Sequence, residues 1–445
     1  MELYFALCLH HERYEYSNSE IQTGHKKLTN PFIKLLPTKR INTMKKFALV
    51  TLASLLFSAF TSQAEVKDST KSGKLTISGY ADVYYQYNLN NPTQTPGLYN
   101  GQPGDGFENI GRIFDVKHNT FSLGLVQTKF AYTTDRSEVV LDLTYGPNSF
   151  LGNFGNVLNG NDLMIKQAYM SYMFTDKLNV TVGQFGTHIG YELIDAPLNY
   201  NFSLSYLFGN GPFYHTGAKA SYAFSDNVGL MAGIVNGWDA MYDFNGTKSA
   251  IAQLYLAPTD GFNIYVNYIG GDEKNGLSFP TLGGLPTSTK TVSHLFDLTT
   301  SYQLTDAFKL GLNAAYGFGN NLKVDANDLE DGLSKATWSG AALYADYRFS
   351  EFFGLGLRAE HFIDKDGVRY IGGPAGIGPC SVSEFTLTGD MKFMDGHFNL
   401  KPEFRIDIAD KVDGTDAYVK NPGKGADAET TNMQPTIGMA AIYAF

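Results

Sequence analysis

The chain has 445 residues and a formal net charge of −10, and 14% of its residues are aromatic while only 18% are charged. Average proteins carry about 25% charged residues, so this chain is poor in charge for its length. Its acidic balance argues against a nucleic-acid partner, which would require a basic face. No apolar stretch reaches the roughly 20 residues that a membrane-spanning helix needs.

The N-terminal 64 residues have the pattern of an exported protein. An apolar run over residues 47–60 follows Met44-Lys45-Lys46 and precedes Ser62-Gln63-Ala64, a small-x-small cleavage pattern. We expect residues 44–64 to be a signal peptide and residues 65–73 a short periplasmic segment. Residues 1–43 are expected to be a wrongly assigned upstream extension, the alternative being an unusually extended signal peptide. Without residues 1–64 the chain has 26 basic and 40 acidic residues, and Cys380 is its only cysteine.

The first predicted strand, Lys74–Asn88, alternates apolar with mostly polar residues, as a sheet with two different faces requires. Seven two-residue segments that end in Asp or Glu follow along the chain, each between two such runs. We call these segments polar words. Ser, Thr and Asp side chains can hydrogen-bond nearby backbone in tight turns, so each word predicts the bend of a hairpin. The words are Thr134-Asp135, Thr175-Asp176, Ser225-Asp226, Thr259-Asp260, Thr305-Asp306, Ser350-Glu351 and Met394-Asp395.

Seven hairpins, one strand before them and a last strand over residues 434–445 make sixteen strands. An even count with short turns alternating with long loops is typical of bacterial outer-membrane barrels. The sequence therefore predicts an all-β, transmembrane, antiparallel up-and-down β-barrel of sixteen strands, with short periplasmic turns and long extracellular loops. The alternative is a soluble β-propeller, whose blades repeat at similar spacing. Only two tryptophans are present, which disfavours the Trp-Asp repeats of such blades.

The apolar face of each strand is expected to point to lipid, with aromatic residues beside the turns at the membrane interface. The terminal Phe445 closes an amphipathic last strand and predicts a signal for the barrel-assembly machinery. The facing of the second strand is ambiguous, because Gln127 and Lys129 compete with Phe130 and Tyr132 for one parity.

The loop after the fifth strand is the densest in glycine, aromatic and polar residues. A loop at this place can fold into a barrel of sixteen strands, which otherwise leaves an open aqueous channel. The residues expected to meet the permeant are His188, Tyr191, Glu192, Asp195 and His215. The equal alternative is that these side chains only pin the loop to the wall, with Glu192 binding backbone amides.

A second candidate is a charged wall on the inward face of the twelfth to fifteenth strands. Its residues, together with Lys219 on the sixth strand, are Asp346, Arg348, Arg358, Glu360, Lys392, Lys401 and Arg405. One interpretation is a fixed transverse field opposite the acidic loop, since rings of charge set ion selectivity. The other is that opposite charges neutralise each other and brace the wall.

Enzyme and metal signatures are not found in the sequence: it has no G-x-S-x-G, no H-E-x-x-H and no Cys/His metal spacing. The acidic stretch 325–332 has not the spacing of a calcium loop. We therefore expect no catalytic residue, no metal site and no cofactor. His188 and His215 keep a rim-active membrane enzyme open as an alternative.

The pattern G-x-F-x-T-x-x-G-Y-E over residues 183–192, followed by P-x-x-H-x-G over residues 212–217, resembles the OmpL-like β-barrel porin family of Gram-negative bacteria. The resemblance implies an outer-membrane channel without implying a particular substrate. We expect passive diffusion of small hydrophilic solutes and ions through a water-filled barrel narrowed by the third extracellular loop. A channel selective for sugars or organic anions is one alternative; in the sugar case the inward Tyr80, Tyr84, Tyr265 and Tyr344 would stack on sugar rings. A closed structural or adhesion barrel is another. The expected partners are outer-membrane lipid and lipopolysaccharide, with the protein either a monomer or a homotrimer.

Overall fold

The computed structural model describes residues 73–92, 108–152, 164–243, 245–273, 292–324, 333–369, 380–412, 414–421 and 429–445. The expected upstream extension, the signal peptide and nearly all of the periplasmic segment lie outside these residues. The acidic stretch 325–332 is also outside them. Among the described residues, no helix is both long enough and apolar enough to span a membrane.

Sixteen strands close an antiparallel barrel in which each strand pairs with the next barrel strand along the chain. They are β1 (Lys74–Asn88), β2 (Thr120–Thr133), β3 (Ser137–Tyr145), β4 (Met164–Met173), β5 (Leu178–Gly186), β6 (Tyr214–Ser225), β7 (Val228–Val235), β8 (Ser249–Thr259), β9 (Phe262–Asp272), β10 (Val292–Thr305), β11 (Phe308–Val324), β12 (Leu333–Arg348), β13 (Phe353–Asp364), β14 (Cys380–Phe393), β15 (Phe398–Ala409) and β18 (Met433–Ala444). β18 closes the ring between β15 and β1. The prediction of a sixteen-stranded up-and-down barrel is confirmed.

Four short elements and a small sheet lie in the connections. The helices are α1 (Pro147–Leu151) and α2 (Tyr206–Gly209), and single 3₁₀ turns cover Ala196–Leu198 and Met394–Gly396. β16 (Tyr418–Lys420) and β17 (Glu429–Thr431) form a separate antiparallel pair between β15 and β18. The sequence patterns did not indicate this extra hairpin.

All seven polar words lie where two paired strands are joined, and a threonine hydroxyl tightens three of these turns. Thr134 Oγ1 accepts a hydrogen bond from Ser137 N at 3.0 Å, and Thr175 Oγ1 accepts one from Leu178 N at 3.0 Å. Thr305 Oγ1 accepts from Phe308 N at 3.1 Å. Such side-chain bonds replace ladder bonds where the chain reverses, which explains why the words mark the ends of strands. That these turns face the periplasm stays a prediction.

A β-bulge decides the facing of β2. The register against β1 shifts between Ala81 and Val83, and Asp82 Oδ1 accepts a hydrogen bond from Leu125 N at 2.6 Å. A bulge adds one residue to a strand, so the parity of the side chains changes across it. Beyond the bulge, Gln127 points inward to Asp142, while the side chain of Tyr132 is 43% exposed on the outer face.

The outer face of the barrel is apolar and the inner face polar, the reverse of a soluble barrel. Met170, Ile234 and Leu343 are more than 60% exposed, whereas inward-facing polar groups are buried beneath loops that enter the barrel. Aromatic side chains beside the turns are also exposed, including Phe224 and Phe349. This distribution is what a lipid-facing surface with an interfacial aromatic girdle requires.

Candidate functional site

The third loop, residues 187–213 between β5 and β6, crosses the interior of the barrel. Its helix α2 contacts β11, β12 and β13, and its 3₁₀ turn Ala196–Leu198 contacts β18. In the ring of sixteen strands, β13 and β14 lie half a circuit away from β5 and β6. The loop therefore reaches the wall opposite to the strands from which it emerges.

Arg358 on β13 is the centre of the attachment. Its guanidinium is fully buried and pairs with Glu192 Oε1 of the third loop at 2.6 Å, with Ser203 O at 2.6 Å, and with Glu384 of β14. Two carboxylates and a carbonyl thus share one buried cation. Charges removed from water are tolerated only when they are paired and hydrogen-bonded in this way.

Two wall carboxylates hold the backbone of the third loop. Glu360 accepts hydrogen bonds from Tyr206 N at 2.7 Å and Leu207 N at 2.6 Å, at the start of α2. Glu403 accepts from Phe202 N at 2.7 Å and from Ser203 N at 3.1 Å. Amides at the beginning of a helix have no partner within the helix, so a carboxylate there satisfies them.

Two wall cations bind carbonyl groups of the same loop. Lys401 Nζ donates to Ala196 O at 3.0 Å and also to Asn199 O. Arg405 donates from Nη1 to Leu204 O at 2.7 Å and pairs through Nε with Asp407 at 2.8 Å. Arg358, Glu360, Lys401 and Arg405 are therefore turned to the loop backbone and to each other, which supports the bracing interpretation for these four.

The other wall residues are placed differently. Arg348 pairs with Asp390, and Lys392 lies 4.0 Å from the same carboxylate with its side chain 40% exposed. Lys219 Nζ lies 4.2 Å from the ring centroid of Phe185, and Asp346 lines a cavity beside the third loop. These residues face the remaining space of the lumen or its edge.

Of the loop residues predicted from the sequence, two are ion-paired and two are aromatic side chains that contact the wall. Glu192 and Asp195 are paired, Asp195 with Lys166 of β4 at 2.5 Å. Tyr191 stacks on Tyr344 with ring centroids 4.3 Å apart. His188 Nε2 lies 3.0 Å from Tyr268 O and thus donates to that carbonyl. All four lie inside the barrel and line its cavities.

The placement of His215 in the constriction loop was wrong. His215 is the second residue of β6, paired with Phe185, and it is fully buried. The β5–β6 ladder continues to the pair of Gly186 and Tyr214, so the strand begins before the histidine. Its Nε2 lies 3.0 Å from the hydroxyl of Thr187, which ties the wall to the first residue of the loop.

A segment of the first loop, residues 108–119, also enters the barrel, and sequence reasoning missed it. Arg112 is buried and bonds Asp407 at 2.6 Å, Asp115 at 2.7 Å and Thr436 Oγ1 at 2.9 Å. Its partners on β15 and β18 lie about 300 residues away in the sequence. No local pattern distinguishes this arginine from a solvated loop residue.

The long-loop end of the barrel holds an arginine between the two tryptophans. The Arg369 guanidinium lies 4.7 Å from the ring of Trp238 and 4.9 Å from the ring of Trp338, and it donates to Asn210 O at 2.7 Å. Nearby, Asp239 accepts from Phe213 N at 2.6 Å. Burial raises the pKa of Asp239 to about 7 despite these amide contacts. The third loop is thus covered by its neighbours at this end.

Two cavities remain between the third loop and the wall of the barrel. The first, of about 360 Å³, lies against β8 to β12, and the second, of about 560 Å³, against β3 to β6. His188, Gly190, Glu192 and Leu193 line both, so this stretch of the loop separates them. In the described part of the chain, no group of three or more His, Cys, Asp or Glu side chains is placed to hold a metal ion.

The protonation of His188 gives a first prediction. Burial, with a smaller contribution from the charge of Lys219, lowers the pKa of His188 to about 4, although the hydrogen bond to Tyr268 O opposes this shift. Stabilisation by the neutral ring is therefore complete above its ordinary pKa of about 6.5 and is lost as the pH falls through about 4. Single-channel current should be equally quiet at pH 8 and pH 5, and wild type should become noisy only near pH 4.

The matched control is His188→Gln, whose amide can donate to the same carbonyl without titrating. This variant should lack the acid transition of the wild type while keeping the same current at neutral pH. A wild-type transition centred near pH 6.5 would contradict the prediction.

A closed antiparallel barrel with an apolar outer face and a polar, loop-filled interior is the architecture of an outer-membrane porin. Residues 74–445 match the family described as "Putative beta-barrel porin-2, OmpL-like", and the chain belongs to this family. It is a porin of the outer membrane, which confirms the resemblance and the localisation expected from the sequence.

Solved structures agree on the fold. The outer membrane channel DcaP of Acinetobacter baumannii is 12% identical with a TM-score of 0.53, covering 85% of this chain and 99% of its own. OmpF of Salmonella typhi in complex with daunomycin is 12% identical with a TM-score of 0.52, covering 84% and 98%. No curated protein matches the sequence. Identities this low support a shared fold and nothing more specific.

Proposed function

We propose that the barrel passes small hydrophilic solutes and ions by passive diffusion and that its third loop sets the width of the passage. The observation that carries this proposal is the loop's attachment to the opposite wall through Arg358, Glu360 and Glu403. A loop held at both sides of the lumen is a fixed obstruction. Solute must then pass through the two polar cavities beside it.

Ion preference in this proposal comes from the charges that line the cavities, because fixed charge acts on ions where water reaches it. Lys309 and Asp346 line the first cavity, and Lys166, Lys219 and Asp195 line the second. Arg358 and Arg405 are fully or almost fully buried and ion-paired. The transverse field is therefore assigned to the cavity residues, with the buried arginines holding the loop.

A sugar-selective channel is the second candidate, resting on fewer aromatic residues than the sequence suggested. Tyr80 and Tyr84 are 3% exposed beneath the loops, so their rings are not presented to solute. Tyr344 borders the first cavity, but it is 4% exposed and its ring is stacked on Tyr191. Tyr265 lines the first cavity, together with Tyr191 and Tyr200 of the loop.

Conductance in planar bilayers tests the proposal with protein purified from outer membranes. Wild type should give ohmic steps, and a variant in which a short Gly-Ser linker replaces residues 194–210 should give larger steps. It should also admit larger neutral polymers. A matching replacement of residues 415–430, in the β15–β18 connection, serves as the control for loop surgery. The absence of conductance at every voltage would contradict the proposal and favour a closed structural barrel.

Membrane assembly and partners remain proposals as well. Phe445 is 58% exposed, and its backbone exchanges hydrogen bonds of 3.0 and 3.1 Å with Gly79 beside the barrel seam. An exposed terminal aromatic fits a signal for the barrel-assembly machinery, and the apolar outer face fits lipid and lipopolysaccharide. A homotrimer is proposed beside the monomer, and light scattering of the detergent-solubilised protein separates the two.

A further inference from the structure

The first cavity has the size and the lining of a binding site. Its volume of about 360 Å³ falls at the lower end of the roughly 300–1,000 Å³ found for small-molecule sites, enough for a single sugar ring. Residues of the third loop form one side, and inward-facing residues of β8 to β12 form the other. A solute that passes the loop on this side must enter it.

Aromatic and apolar side chains occupy part of the lining. Tyr265 of β9 faces inward beside Thr299 of β10, and its ring centroid lies 5.1 Å from that of Tyr255. Tyr200 and Leu198 line the cavity from the loop, and Leu198 is 66% exposed. Exposed apolar surface inside a polar lumen can cover the C–H face of a sugar ring, and aromatic rings are suited to this contact.

An unpartnered polar atom belongs to another part. Asp346 is 3% exposed, and its Oδ1 has no hydrogen-bond partner among the described residues. A buried acceptor without a donor costs free energy, so a ligand hydroxyl that donates to Asp346 would be favoured.

Glu192 of the lining is paired with Arg358, and the two other charged side chains of the lining have opposite sign. Lys309 and Asp346 are direct cross-strand neighbours on β11 and β12, and both line the cavity. Thr299, Ser301 and Gln253 add hydroxyl and amide groups. An anion would meet the carboxylate of Asp346 and a cation the ammonium of Lys309, whereas hydroxyl groups can donate to the first and accept from the second.

We propose that this cavity is a binding subsite for a neutral hexose ring, with Asp346 and Lys309 binding its hydroxyl groups and Tyr265 packing on its apolar face. The proposal rests on the proposed channel function and adds a substrate class to it. Binding must stay weak, because conduction requires that a solute leaves as readily as it enters.

The test is the current through single channels during titration with glucose and galactose. Hexose should add reversible, saturable current noise in wild type. Asp346→Asn and Tyr265→Ala should each weaken the apparent affinity about tenfold, the loss expected for one charge-assisted hydrogen bond or one ring contact. The matched control is Tyr316→Ala on β11, a tyrosine 50% exposed on the lipid-facing side, which should keep wild-type affinity.

Each outcome separates the two proposals. If no channel opens, the proposed function fails. If channels open without hexose noise, or if hexose noise is equal in all variants, the subsite alone is overturned. Noise caused by zwitterionic amino acids or by dicarboxylates but not by hexoses would overturn the substrate class. Heat-modifiable migration of each variant on gels confirms that its barrel is folded.

Discussion

Replacing Arg358 with methionine should release the third loop and destabilise the barrel by about 3–5 kcal/mol, the usual result of removing one member of a buried ion cluster. Glu192 is 5% exposed and would lose its counter-ion, while the fully buried Glu384 would keep only the more distant Arg405, at 3.7 Å. Ser203 O would lose its donor at 2.6 Å as well. The measurement is a denaturant titration of the folded protein in lipid vesicles.

Conductance distinguishes this role from a field effect. Arg358→Met should give larger and noisier current steps, because the loop loses its ion pair with β13. The matched control is Lys392→Met, which removes a wall charge whose side chain is 40% exposed and should cost below about 1 kcal/mol. Equal shifts in ion selectivity for both variants, without loss of stability in either, would restore the field interpretation of the wall.

A rescue experiment sharpens the assignment further. Adding Glu192→Gln and Glu384→Gln to Arg358→Met removes the uncompensated charges, and a neutral buried cluster is often as stable as the ionic one. The triple variant should therefore recover much of the lost stability. It should not recover the quiet current, because the hydrogen bond to Ser203 O is still absent.

The strands could be predicted from the sequence because the patterns that mark them are local. The alternation of side chains and a polar word such as Thr175-Asp176 can both be recognised within about twenty residues. Hairpins also join strands that are neighbours in the chain. Which side chains of β2 face inward could not be predicted in this way. A bulge opposite Asp82 changes the parity of β2, and a Cβ on Gly124 would lie 2.0 Å from that carboxylate. Gly124 therefore leaves room for the bulge, and the alternation of side chains alone does not reveal this change of facing.

The contacts inside the barrel could be predicted only in part, because they join residues that are far apart in the sequence. The sequence named Arg358, Glu360 and Glu192 as separate candidates without pairing them, although Glu192 and Arg358 form one ion pair across 166 positions. Gly311 shows the same limit: a Cβ there would lie 2.4 Å from the hydroxyl of Tyr191, so the glycine makes room for the loop. A strand pattern lists that glycine as one more inward residue, and only the folded chain shows what it accommodates.

Replacing Asp407 with leucine should free the first loop in the way that Arg358→Met frees the third. Asp407 is fully buried and pairs with Arg112 at 2.6 Å and Arg405 at 2.8 Å, and it accepts from Gln434 at 3.2 Å. Its loss leaves two buried guanidinium groups short of their shared counter-ion. We expect destabilisation of about 3–5 kcal/mol.

Limited digestion with trypsin reads out this release directly, since Arg112 and Lys117 lie in the docked segment and Arg112 is only 2% exposed. Wild type should resist cleavage at Arg112, and Asp407→Leu should be cut there while the barrel stays intact. The matched control, Asp416→Leu, removes an acid whose ion pair with Lys411 is partly exposed, so digestion should be unchanged. Since Arg112 and Asp407 act as a pair, Arg112→Leu should add little stability loss to Asp407→Leu. Additive losses would mean that the first loop is held by its other contacts, with Asp407 serving only Arg405 and, through it, the third loop.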